Sequence, residues 1–381
     1  MPFRPAAVAA LLLACLAPAA RAADRDPYGG WTKLTGKKTG FFRLEEIRGH
    51  WWFVTPDGNA FYSKGVNSVN QADKDADAKA TKDADEDRWA ARVAADLRNL
   101  GVNTAGCWST GAVGKHALAW TPRPHLSFAR DGLPDVFAPD WADKVKAAAL
   151  AQCGPLKDDP WVLGYFTDNE LSWGHEDEHA AVLDHYLKLP DGSGGRAKAE
   201  AFVKKHGKGK AAEFRAMVAK EYFKVTAEAI RAADPNHLIL GCRFAGRPPM
   251  DVVKAMKGHA DVISINNYSG KPPTDLLKEM HKATGLPVMV TEWSVKAKDS
   301  GPLTAHGSGP VVATQADRAA RFKDYTSDLA DLNYCVGFHW FRYRDHPGSN
   351  QGLVKATGEP WEKLAAAFRD LNPTLDARHA K

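Results

Sequence analysis

A repeated order of elements constrains this chain more than any other feature. Short apolar runs of strand length alternate with amphipathic helical patterns along nearly its whole length. The runs span residues 60–67, 102–108, 125–129, 161–167, 238–244, 261–268, 287–291 and 335–341. Helical patterns lie at 87–100, 140–152, 211–233, 250–256, 275–282, 314–332 and 360–371. Most of the runs are apolar almost throughout instead of alternating, which suits parallel strands covered on both faces. Asp87, Asp140 and Thr314 stand where a side-chain oxygen can accept the first N–H groups of a helix. Eight strands with helices between them predict an α/β fold, specifically a (β/α)8 TIM barrel. The rival is an open doubly wound sheet. Its usual glycine turn after the first strand is missing, because Gly65-Val66-Asn67-Ser68 has the wrong spacing.

Three stretches stand apart from the alternation. Trp51-Trp52-Phe53-Val54-Thr55, Asp57-Gly58 and a second β-prone run predict an N-terminal β-hairpin, since Asp-Gly between such runs is a strong turn signal. Residues 71–86 are a polar run of Asp, Lys and Ala. Residues 174–210 form a long insertion after the fourth strand, rich in Gly and charge. Both polar stretches follow the C-terminal end of a strand, the face on which barrel enzymes build their sites. No internal repeat or second domain is visible, so residues 23–381 read as one catalytic domain.

The N-terminus reads as an export leader over residues 1–22. Arg4 supplies the positive start, 6–16 the apolar stretch, and Ala20-Arg21-Ala22 the cleavage site. Leu12-Leu13-Ala14-Cys15 is an alternative lipobox that would anchor the chain at Cys15. The predicted location is therefore secreted or periplasmic, with lipid anchoring at the envelope as the other outcome. No later segment is apolar enough to span a bilayer. The formal charge is +5, and Arg4 and Arg21 fall in the leader, leaving +3. Acidic and basic residues are mixed throughout, which argues against a nucleic-acid partner. Cys107, Cys153, Cys242 and Cys335 form no C-x-x-C pair and read as small buried hydrophobes.

Chemistry concentrates at two strand ends. The fourth run finishes Tyr165-Phe166-Thr167-Asp168-Asn169-Glu170, and the seventh finishes Val290-Thr291-Glu292-Trp293. In a barrel these ends meet at one mouth. Two carboxylates facing each other are what glycoside hydrolysis needs: one protonates the leaving oxygen, the other attacks the anomeric carbon or activates water. One glutamate at a strand end is usually an ion-pair partner. Here strand order, the Asn before Glu170, the Trp after Glu292 and an aromatic eighth strand agree.

On these residues the chain resembles clan A of the retaining glycoside hydrolases, from Trp51 to about Asn372. Within the clan it is similar to the β-agarase-like enzymes. Supporting stretches are 51–58, Gly65-Val66-Asn67, Leu240-Gly241-Cys242-Arg243-Phe244 and Gly337-Phe338-His339-Trp340-Phe341. The resemblance implies hydrolysis of a β-glycosidic bond in a polysaccharide or oligosaccharide, an agarose-like galactan, without a cofactor. Glu170 would be the general acid/base and Glu292 the nucleophile, their carboxyls roughly 5–5.5 Å apart. Glu170 is expected to be protonated, its pKa raised mainly by the charge of an ionised Glu292. Asn169 would bond the sugar 2-hydroxyl, Tyr268 would hydrogen-bond Glu292, and Trp340 would floor the sugar. Asn67, Trp108 and Arg243 also fall at strand ends and would line the pocket. The longer agarases carry N-terminal material with no counterpart here, which leaves the glycan open.

Two rival readings remain. His175-Glu176-Asp177-Glu178-His179 contains H-x-x-E-H, in which His175 and His179 could hold zinc with Glu178 as base. A loop or lid beside the cleft is the plainer reading, with no metal. A non-catalytic sugar-binding barrel would need neither Glu170 nor Glu292. A transglycosylase would keep both.

Overall fold

The computed structural model of the chain describes residues 24–71, 85–129 and 132–381. The predicted leader, Cys15 and most of the polar run at 71–86 lie outside the described residues. The fold is α/β. Strands β1 (Trp31–Thr35), β2 (Arg43–Ile47), β3 (His50–Val54) and β4 (Asn59–Phe61) form an antiparallel sheet in the order β1-β4-β3-β2. The Asp57-Gly58 turn joins β3 to β4, with Phe53 opposite Phe61, as the hairpin signal predicts.

The strands that follow are β5 (Ser63–Val66), β6 (Thr104–Ala105), β7 (Ala119–Trp120), β8 (Gly164–Tyr165), β9 (Leu238–Ile239), β10 (Phe244–Ala245), β11 (Ile263–Asn266), β12 (Val288–Trp293) and β15 (Cys335–Trp340). Between the last two lies a short parallel pair, β13 (Lys296–Ala297) and β14 (Val311–Val312). A seven-stranded parallel sheet runs β10-β11-β12-β15-β5-β6-β7, and β8 pairs with β9, also parallel. Hydrogen bonds join the two sheets on both sides. Trp120 N and O bond Trp161 O and Leu163 N at 3.0 and 2.9 Å, and Asp261 N donates to Ile239 O at 2.8 Å.

One predicted strand is corrected. The third strand is β7, not residues 125–129. Trp120 N and Thr121 N still make ladder bonds, whereas Pro122 and Pro124 have no N–H to give. Beyond them Phe128 turns into the left-handed region at φ 55°.

The helices form where apolar residues recur on one face. In α1 (Glu86–Asn99) the buried positions are Trp89, Ala90, Val93, Ala94 and Leu97. Its cap is Asp85, which accepts from Asp87 N at 2.9 Å, so the cap predicted at Asp87 moves by two residues. Asp140 precedes α2 (Trp141–Gln152) but makes no side-chain cap bond. The insertion carries α3 (Ala181–Leu187) and α4 (Gly194–His206), followed by α5 (Ala211–Ala233). After α6 (Met250–Ala255) and α7 (Thr274–Thr284), α8 (Gln315–Ala330) opens on a capping box between Thr314 and Asp317. The C-terminal helices are α9 (Glu362–Leu371) and α10 (Leu375–His379). Among the described residues no helix is long and apolar enough to cross a membrane.

Two packing features hold the N-terminal sheet in place. Phe42, Phe53 and Phe61 join Leu163, Leu240, Val262, Met289 and Val336 from the parallel strands in one buried cluster. Asp376 of α10 receives both Lys64 of β5 and Arg25 at 2.6 Å. These two ion pairs tie α10 to β5 and to the segment before β1. The four described cysteines are buried and unbridged, in line with their reading as small hydrophobes.

Candidate active site

The C-terminal ends of the parallel strands carry an unusual backbone. Ser68, Trp108, Phe128, Glu170 and Arg243 all adopt positive φ, between 50° and 68°. Left-handed geometry in a residue with a side chain costs about 1–3 kcal/mol and persists only where neighbours enforce it. Such strain collects at functional sites. Here it aims Trp108, Glu170 and Arg243 toward one place.

Glu292 sits in β12, every residue of which is buried. The glutamate itself is 6% exposed. Three donors converge on its carboxyl. Arg243 Nη2 donates to Oε1 at 2.5 Å, Trp108 Nε1 to Oε1 at 3.3 Å, and Tyr268 OH to Oε2 at 2.7 Å. Arg243 is fully buried and also donates to Thr291 O at 3.1 Å. Together they leave Glu292 charge-balanced and rotationally fixed. The Tyr268 hydroxyl is pushed to higher pKa by burial and then by Glu292, so it stays a donor.

Glu170 follows β8 and is exposed. Its backbone N donates to Arg243 O at 3.1 Å. Just before it, Asp168 is locked by Ser127 Oγ at 2.7 Å and Tyr222 OH at 2.6 Å, which fixes the turn that presents the glutamate. Asn266 Nδ2 donates to Glu170 Oε1 at 2.8 Å and to Asn169 Oδ1 at 3.2 Å. The Glu170 pKa is raised, as expected for a proton donor, but the cause is corrected. Withdrawal of the carboxyl from water comes first; Asn266 opposes it, and the charge of Glu292 follows.

The remaining predicted residues divide. Trp108 is 38% exposed and borders the mouth, with the Arg123 guanidinium 4.1 Å from its ring centre. Asn67 is fully buried, and its Nδ2 donates to Thr291 O at 2.8 Å. It supports the β12 end and offers no surface to a ligand. Arg243 likewise acts on Glu292 from beneath. Trp340 is the clearest departure. Its exposure is 0%, its Nε1 donates to Gln351 O at 2.9 Å, and Trp293, Phe322 and Phe368 pack edge-on around it. A ring with no open face packs the core in this conformation instead of flooring a sugar. One residue was missed: Asn266 ends β11 inside the sixth run, where a polar residue closing an apolar strand was the available signal.

The two glutamates of the H-x-x-E-H stretch accept from backbone N–H groups. Glu178 Oε2 accepts from His175 N at 3.0 Å, and Glu176 Oε2 accepts from Met250 N at 2.7 Å. Among the described residues no group of three or more His, Cys, Asp or Glu is placed to hold a metal. Because the two-carboxyl chemistry needs no metal, prolonged EDTA treatment is expected to leave activity unchanged. Activity lost to the chelator and restored by zinc would return the motif to the site.

The α/β fold thus brings two glutamates to strand ends on one side of the parallel strands, one of them bound by Arg, Tyr and Trp, an arrangement that glycoside hydrolysis could use. The chain is 26% identical over 478 residues to β-agarase B of Vibrio sp. (strain JT0107), covering 91% of this chain and 50% of that protein. The chain thus spans about half the length of the curated relatives it matches. It superposes on an exo-β-agarase with a TM-score of 0.83 at 22% identity, covering 94% of this chain and 68% of the other. For the crystal structure of BpGH50 the TM-score is 0.84 at 25% identity, covering 94% and 87%. No family profile matches. By these likenesses the chain is similar to β-agarases in sequence and in fold.

Proposed function

We propose that this protein hydrolyses β-glycosidic bonds of an agarose-like galactan, with retention, through a covalent glycosyl-enzyme. The observation that carries the reading is the three-donor cradle of Glu292 beside a Glu170 whose pKa is raised. A nucleophile must be held still and charged while its partner keeps a proton. In the first step Glu292 bonds the anomeric carbon as Glu170 protonates the departing oxygen. In the second, Glu170 takes a proton from water, whose oxygen displaces Glu292. Asn169 meets the sugar beside the reacting carbon, and Trp108 borders it. The β-agarases among its relatives support an agarose-like galactan as the substrate, and the leader pattern at residues 1–22 supports export. We also read the parallel strands as a closed (β/α)8 barrel, supported by the hydrogen bonds that join the two sheets on both sides.

The test is a panel of agarose oligosaccharides, other β-linked polysaccharides and aryl β-glycosides. Release of reducing ends from the agarose series above the other glycans is expected. Cleavage of a different β-glycan would move the substrate, and binding without cleavage of any would leave a sugar-binding barrel.

A further inference from the structure

One buried amide connects Glu170 to the strand that carries Glu292. Asn266 is 2% exposed and ends β11, directly across from Glu292 in the β11–β12 register. Its Oδ1 accepts from Thr291 Oγ1 at 2.8 Å. Its Nδ2 donates to Glu170 Oε1 at 2.8 Å and to Asn169 Oδ1 at 3.2 Å. A flipped amide would set its oxygen against two acceptor oxygens, Glu170 Oε1 and Asn169 Oδ1, whereas the Thr291 hydroxyl can serve either end, so the two acceptors fix which end faces Glu170.

We propose that Asn266 is the positioning residue of the acid/base, holding Glu170 by Oε1 so that the transferable proton resides on Oε2. The proposal rests on the reading of Glu170 as general acid. An O–H on Oε1 would confront the Asn266 N–H, whereas an O–H on Oε2 leaves the Oε1 lone pair free to accept it. Proton transfer to the leaving oxygen then breaks the glycosidic C–O bond and leaves a carboxylate on Glu170. The Asn266 hydrogen bond strengthens on that carboxylate, since bonds to ionised acceptors are the stronger ones. The same bond remains in place when Glu170 acts as base on water. Asn266 also engages Asn169 through its oxygen. That leaves the Asn169 amide N–H groups for the sugar, so the group they meet must be an acceptor.

The inference is tested with Asn266→Ala, assayed on a natural oligosaccharide and on an aryl glycoside whose leaving group needs little protonation. General acid catalysis contributes on the order of 10²–10⁴-fold, and misplacing the acid should forfeit part of this. The expected result is a loss of roughly 10–100-fold in kcat/KM on the oligosaccharide and less than about 3-fold on the activated substrate. The basic limb of the pH profile should move to higher pH, because the donor that favours the Glu170 carboxylate is gone. Asn266→Asp, similar in shape but unable to donate when ionised, should move the limb further in the same direction. Equal losses on both substrates with an unmoved limb would overturn the proposal and leave Asn266 a structural residue. Glu170→Ala is the control. If it too lacks dependence on the leaving group, the acid/base reading itself fails. If it shows that dependence and Asn266→Ala does not, only this inference falls.

Discussion

Glu292→Gly is expected to abolish turnover on every substrate, by on the order of 10⁴-fold or more, because removing a covalent nucleophile removes the pathway itself. The cradle of Arg243, Tyr268 and Trp108 would remain, facing an empty space. Azide can fill that space and attack an activated aryl glycoside directly, giving a glycosyl azide of inverted configuration. Glu170→Ala should behave differently. The nucleophile survives, substrates with good leaving groups still form the intermediate, and azide releases it with retained configuration. Swapped stereochemical outcomes would exchange the two roles. Unimpaired activity in both variants would remove the glycosidase reading altogether.

Trp340→Ala is expected to act on stability first. The ring is enclosed by Trp293, Phe322 and Phe368 and lies 5.3 Å beneath the Arg318 guanidinium. Replacing a buried Trp or Phe by Ala typically costs about 3–5 kcal/mol, from lost burial and the cavity left behind. For a protein of this size that should lower the unfolding midpoint by roughly 5–15 °C. Calorimetry on the purified variant measures it. A variant that unfolds with the parent midpoint but binds sugar weakly would return Trp340 to the cleft.

Much of the scaffold was legible because burial on both faces writes itself as continuous apolar runs. The run at 287–291 becomes β12, and the pattern at 211–233 becomes α5, Ala211–Ala233. The third strand was not legible. Its ladder residues Ala119 and Trp120 are two in number, and the apolar Leu126 downstream is buried without pairing. The first two strands escaped notice because Trp31–Thr35 and Arg43–Ile47 are mostly polar and half-exposed. In the insertion, α4 is masked by its Gly and Lys residues, since a helix mostly open to water needs few apolar positions, and α3 is only seven residues long.

At the site, Glu170, Glu292, Tyr268 and Arg243 were readable from their places at strand ends. What each touches was not. Periodicity cannot tell a strand-end Trp that faces the mouth, such as Trp108, from one turned inward, such as Trp340. Nor does it reveal that Asn67 lies under Glu292, or that Asn266 bridges to Glu170. Those outcomes follow from side-chain direction and packing, and at Trp108 from a backbone at positive φ, which no sequence spacing encodes.

The central claim is that Glu170 and Glu292 carry out a double displacement. The measurement closest to it is the anomeric configuration of the first product, followed by proton NMR in the opening minutes of hydrolysis of a β-linked oligosaccharide, before mutarotation mixes the anomers. The account predicts that the β-anomer appears first and the α-anomer grows in behind it. An α-anomer appearing first would mean a single displacement by water, with Glu292 its base and no covalent glycosyl-enzyme.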